Sequence, residues 1–185
     1  MISTVKNRLT LEEFLRQPET KPASEFINGE IQQKTMPQRE HSRIQIKLCT
    51  AINQVTEEKK IAYALPELRC TFGGRSLVAD VVIFQWDRIP RTEEGRIANR
   101  FNTYPDWCIE ILSPEQSQIK VLDNLLHCSK YGTKLGWLIN PEEEVILVIF
   151  PEQKVKLCRG EDVVPVLESI DLNLSVNNIF SWLTI

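Results

Sequence analysis

With 185 residues, 42% of them hydrophobic, and a formal net charge of −3, the chain has material for one good core and no general attraction for nucleic acid. No run approaches the ~20 apolar residues of a membrane span, and Met1-Ile2-Ser3-Thr4-Val5-Lys6 lacks the apolar stretch of a signal peptide. One domain over residues 1–185, soluble and cytoplasmic, is therefore expected, and five scattered cysteines without a Cys-x-x-Cys pair argue against both a disulfide framework and a zinc site.

In chain order, Leu9 to Leu15 has a cap at Thr10, acids in the first turn and apolar residues on one side, which predicts a short helix stopped near Pro18. In Glu25-Phe26-Ile27-Asn28-Gly29-Glu30-Ile31 the Asn-Gly pair separates two strand-like pieces, the pattern of a two-residue type I′ hairpin. From His41 to Glu57, Ile44, Leu48, Ala51, Ile52 and Val55 recur at helical spacing, and Arg39, Arg43 and Lys47 make a basic stripe if this helix begins early. Strands are then predicted over Ile61 to Phe72 and Leu77 to Phe84 around a Gly73-Gly74 turn, followed by a long polar segment punctuated by Arg88, Arg91, Arg96 and Arg100. A strand through Glu110, a helix from Gln118 to Tyr131 ending at Gly132, and a strand over Leu135 to Ile139 come next. Val145 to Phe150 and Val155 to Cys158 resemble a second hairpin, and Ile179 to Leu183 a terminal helix. This order predicts an α/β fold: a mixed sheet flanked by helices, with an N-terminal helix and hairpin.

Asp80 and Glu110 each interrupt an apolar run, Leu77-Val78-Ala79-Asp80-Val81-Val82-Ile83-Phe84 and Trp107-Cys108-Ile109-Glu110-Ile111-Leu112. A carboxylate isolated in a buried strand loses several kcal/mol of hydration, roughly, so each acid needs a compensating partner. An arginine or a set of backbone donors would suffice for either one. A shared divalent cation such as Mg²⁺ or Mn²⁺ would compensate both, and it would present a Lewis acid to phosphate chemistry.

Further matches run through Leu9 to Leu15, Glu25 to Ile31, His41, Pro66-Glu67-Leu68, Ala79-Asp80-Val81, Pro105 to Pro114 and Gly136-Trp137-Leu138-Ile139-Asn140-Pro141. Together they resemble the Uma-type restriction endonuclease family, long catalogued as a domain of unknown function, within the PD-(D/E)xK nuclease superfamily. The resemblance covers nearly the whole chain. It implies a restriction endonuclease-like core in which Asp80 and Glu110 are the two metal-binding acids. The superfamily motif places a lysine two residues after the second acid, where this chain has Leu112. A lysine of the following helix is thought to substitute in the related family, and the aligned position here is Asn124. Lys120 stands one turn earlier, and Lys120, Asn124 and His127 form a polar stripe opposite Ile119, Leu122 and Leu126, so Lys120 is the candidate third catalytic residue or else a solvated surface lysine.

Candidates for supporting roles are Glu25 and Glu30 beside the hairpin turn, Glu67, Asn124, and His41 at the start of a helix, where an imidazole would hydrogen-bond near a phosphate; the acids read equally as surface or bracing residues, and His41 as a helix cap or surface histidine. The expected function is a Mg²⁺- or Mn²⁺-dependent endonuclease acting on DNA. A nuclease-fold module that binds nucleic acid or protein after losing the motif lysine is the main alternative, and an enzyme for smaller phosphate compounds a third. A homodimer is expected through Phe180, Trp182, Leu183 and Ile185, unless these residues pack on their own core.

Overall fold

The chain runs α1 (Leu11–Leu15), β1 (Ser24–Ile27), β2 (Glu30–Gln33), α2 (Arg39–Thr56), β3 (Ala62–Phe72), β4 (Arg75–Gln85), β5 (Trp107–Ile111), α3 (Gln118–Tyr131), β6 (Leu135–Asn140), β7 (Val145–Ile149), β8 (Val155–Arg159) and α4 (Val176–Ser181). The computed structural model describes residues 9–114 and 116–184. The strands form one eight-stranded sheet in the order β2-β1-β4-β5-β6-β7-β8, with β3 also paired to β4. Among the described strands β5 and β6 alone pair in parallel, and the connection between them carries α3, as a parallel pair needs a crossover. The mixed sheet flanked by helices agrees with the sequence expectation.

Local chemistry explains the boundaries. Thr10 and Glu13 close a reciprocal capping box on α1. Asn28 and Gly29 both have positive φ, 53° and 84°, the conformation of a type I′ turn. Gly73 joins β3 to β4 at φ 58°, and a Cβ there would meet the Tyr131 ring at 2.4 Å, so backbone and neighbour both favour glycine.

Two cores sandwich the sheet. One unites Ile44, Leu48 and Ile52 of α2 with Val81, Ile83, Ile109, Trp137 and α4. The other unites Val121, Leu125 and Cys128 of α3 with Leu77, Ala79, Val82, Phe84 and Cys108. In β4 the odd-numbered Leu77 and Ala79 share a core with the even-numbered Val82 and Phe84, so the alternation slips by one residue around Asp80. Across from this slip, Glu67 has φ 46° and makes no ladder pair, although its neighbours Pro66 and Leu68 pair with Val81 and Ala79. The strand is thus kinked where Asp80 sits, a distortion often found beside functional sites.

The facing of α3 differs from the sequence expectation. Ile119 is 74% exposed, whereas Asn124 and His127 are buried with Val121, Leu125 and Cys128; Leu122 and Leu126 are only partly buried. Polar residues lie inward because they have partners there: Asn124 meets Glu25, and His127 meets the Phe72 carbonyl. Near the C-terminus Phe180 is buried, and Trp182 and Leu183 pack against the first core, so most of the expected dimer surface is used internally. Ile185, like Met1 to Lys6, lies outside the described residues. Among the described residues no helix is long and apolar enough to cross a membrane.

Candidate active site

β4 and β5 pair antiparallel with Val81 opposite Ile109 and Val82 opposite Cys108, so continuing that register sets Asp80 across from Glu110. Both side chains are buried, each residue 3% exposed. Between them lies a cation absent from the expected set. The Lys34 ammonium donates to Asp80 Oδ1 at 2.7 Å, to Glu110 Oε2 at 3.3 Å and to the Val78 carbonyl at 2.7 Å. Lys34 arrives from the end of the hairpin, where its amide donates to the Ala23 carbonyl at 2.9 Å and so extends the β1–β2 ladder by one step.

The other Asp80 oxygen is also fully engaged. Oδ2 accepts from the Ile111 amide at 2.7 Å and lies 3.0 Å from His41 Nε2, while the Asp80 carbonyl accepts from Gln45 Nε2 at 2.7 Å. His41 and Gln45 are one turn apart on α2, so that helix braces Asp80 from two positions. Behind Lys34, Glu25 accepts from the Val78 amide at 2.8 Å and from Asn124 Nδ2 at 3.4 Å. Among the described residues, two buried polar atoms near this group lack a hydrogen-bond partner, His41 Nδ1 and Asn124 Oδ1.

Electrostatics separates the acids. Burial opposes ionisation of Asp80, but the Lys34 charge together with the His41 contact outweighs it and holds the carboxyl below its ordinary range. Burial pushes Glu110 well above its ordinary value; the Lys34 ammonium opposes that rise and the neighbouring Asp80 charge adds to it. Burial likewise raises Glu25, against the pull of Lys34 and its hydrogen bonds. Lys34 itself is held above its ordinary value, since the attraction of Asp80, Glu110 and Glu25 exceeds the burial penalty.

Among the described residues, two cavities are lined by Lys34. One of about 510 Å³ is lined by Lys34, His41, Asp80, Glu67, Arg69 and Gln116 among others. A second, about 410 Å³, is lined by Glu25, Lys34, Gln116, Lys120 and Asn124. Of the residues expected from sequence, Asp80, Glu110, His41, Glu25 and Asn124 therefore converge. Lys120 is exposed on α3 and lines the second cavity without a bond to either acid among the described residues. Glu67 is exposed on the wall of the first cavity, and Glu30 is exposed at the hairpin turn, paired in the ladder with Ile27 and absent from both cavity walls.

Two arginines of the long segment are engaged by their neighbours. Arg88 is committed to Asp106 at 2.8 Å and to the Tyr104 carbonyl at 2.9 Å, and Arg91 donates to the Trp86 carbonyl at 3.1 Å. Lys34 and Gln45 are the residues that sequence reasoning missed. The signal for Lys34 was the surplus of buried acids over cations next to a hairpin that already carried one of those acids.

The Uma2 family, described as "Putative restriction endonuclease", matches residues 11–177, and the chain belongs to that family. A crystal structure described as a "putative nuclease belonging to DUF820" from Anabaena variabilis is similar, with 52% identity and a TM-score of 0.93 over 95% of this chain and 99% of the other. No curated protein matches the chain.

Proposed function

We propose that this chain is a metal-dependent DNA endonuclease that hydrolyses phosphodiester bonds, with Asp80 and Glu110 as the metal ligands. One observation carries the reading: three oxygens, those of Val78, Asp80 and Glu110, lie 2.7 to 3.3 Å from a single positive centre. The ammonium there stands in for a cation, and the donors are the hard oxygens that Mg²⁺ or Mn²⁺ prefers. Among the described residues no group of three or more His, Cys, Asp or Glu is placed to hold a metal ion, so an ion on Asp80 and Glu110 would need water and phosphate to complete its coordination.

When bound, such an ion supplies Lewis acidity to a phosphate oxygen and to the attacking water. Asp80 is held ionised by Lys34 and His41 and oriented by the Ile111 amide. Glu110 offers the second carboxylate from the facing strand. His41 lines the first cavity, from which its ring would hydrogen-bond a phosphate oxygen, and Lys120 attracts phosphate from the second cavity. Glu25 and Asn124 brace the hairpin against α3, and Glu67 marks the kink opposite Asp80. One site cuts one strand, so a double-strand break takes two copies or successive nicks.

A second reading has a specific observation behind it. Lys34 already balances the acids, so the same fold is electrostatically complete as a noncatalytic module that binds nucleic acid or protein. Incubation of supercoiled plasmid, single strands and small phosphodiesters with Mg²⁺, Mn²⁺ or chelator separates the readings. Metal-dependent nicking lost in Asp80→Asn supports the endonuclease; turnover of small diesters alone moves the substrate class; no cleavage of any substrate leaves the binding module.

A further inference from the structure

The lysine that such an acid pair requires is absent two residues after Glu110, where Leu112 packs partly buried against the apolar core beneath α3. Lys120 stands on an exposed helix face and, among the described residues, makes no bond to either carboxylate. Lys34 approaches from the opposite direction along the chain. Its backbone is fixed by the hairpin ladder, and its ammonium already spans Asp80 and Glu110.

An ammonium and a divalent ion cannot share the same three oxygens, because like charges a few ångströms apart repel strongly in a partly buried site. Lys34 also has somewhere to go. It lines both cavities, so its flexible stem can leave the acids without moving the hairpin. The geometry points to Lys34 as the lysine that serves this acid pair: its ammonium is the counter-ion of Asp80 and Glu110 in the metal-free protein, and it is displaced into an adjoining cavity, toward phosphate, when a divalent ion enters. The second half rests on the metal-dependent reading above.

The test compares Mn²⁺ binding, followed by the electron paramagnetic resonance of the free ion, in wild type, Lys34→Met and Lys120→Met, together with plasmid nicking by each. Lys34→Met is expected to bind Mn²⁺ at least about tenfold more tightly, since a competing charge is removed, while Lys120→Met stays within about twofold of wild type. The same Lys34→Met protein is expected to nick about 100-fold more slowly, the scale of losing one charge-stabilising group. Unchanged or weaker Mn²⁺ affinity in Lys34→Met, binding by neither protein, or an undiminished nicking rate overturns the proposal. A wild type that binds Mn²⁺ yet cuts no DNA sinks the endonuclease reading alone, and the affinity comparison still decides the place of Lys34. Should Lys34→Met fail to melt cooperatively, ¹⁵N spectra of the wild-type lysine ammonium groups replace it, with the signal assigned from Lys34→Arg. Movement of the Lys34 signal on adding Mg²⁺ supports displacement, and a signal unmoved at saturation overturns it.

Discussion

Removing the Lys34 charge from the metal-free protein should destabilise it substantially, and the structure sets the scale. Its side chain is only 16% exposed and faces carboxylates that are about 5% exposed or less, so Lys34→Met leaves buried acids without their cation. Deleting one partner of a buried ion pair typically costs about 3–5 kcal/mol. Two features place the effect near the lower end. Asp80 keeps the Ile111 amide and His41, and Glu110, already pushed upward by burial, relieves the excess charge by taking up a proton. For 185 residues the unfolding entropy is roughly 0.4 kcal/mol per kelvin, so a loss of about 3 kcal/mol lowers Tm by about 8 °C. Differential scanning calorimetry in chelator at pH 7.5 measures this, with Lys120→Met as the exposed-lysine control. A shift below about 2 °C, or an equal shift in the control, would refute the reasoning that Lys34 balances the acid pair.

Asp80→Asn and Glu110→Gln keep side-chain shape but remove a ligand charge, and each should reduce nicking by about 100-fold or more in a single-turnover assay. Glu110→Gln should at the same time stabilise the metal-free protein at neutral pH. Because the folded carboxyl lies above its ordinary value of 4.5, its contribution is greatest below that value and is lost as pH rises toward the folded one, at up to about 1.4 kcal/mol per pH unit. Calorimetry from pH 5 to 8 should show this decline in wild type and its removal in Glu110→Gln. Asp80 has the opposite sign: its contribution is present above 3.8 and is lost as pH falls through its lowered folded value, so an acid-induced loss of stability below about pH 4 should be smaller in Asp80→Asn. Gly73→Ala should cost about 1–3 kcal/mol in urea denaturation, because φ is 58° and the added methyl meets the Tyr131 ring at 2.4 Å.

Much of this molecule was legible one segment at a time. Thr10 with Glu13, Asn28-Gly29, Gly73-Gly74 and Gly132 fix local backbone chemistry, so elements begin and end close to where those residues stand. Asp80 and Glu110 were visible because a carboxylate inside an apolar run violates the pattern around it, and a period of two in each strand is enough to pair them once the strands are neighbours. Two things were decided only by tertiary structure. The rotation of α3, which buries Asn124 and His127 and exposes Ile119, depends on partners from β1 and β3 that helical periodicity does not contain. The cation between the acids comes from Lys34, 46 residues before Asp80 and 76 before Glu110, as an ordinary basic residue at the end of a polar strand. Spacing along a chain reports faces of one element. Which charge enters a buried site is set by how the hairpin docks on β4, through Phe26 opposite Ser76 and Glu25 on the Val78 amide, and that docking exists only in the assembled sheet.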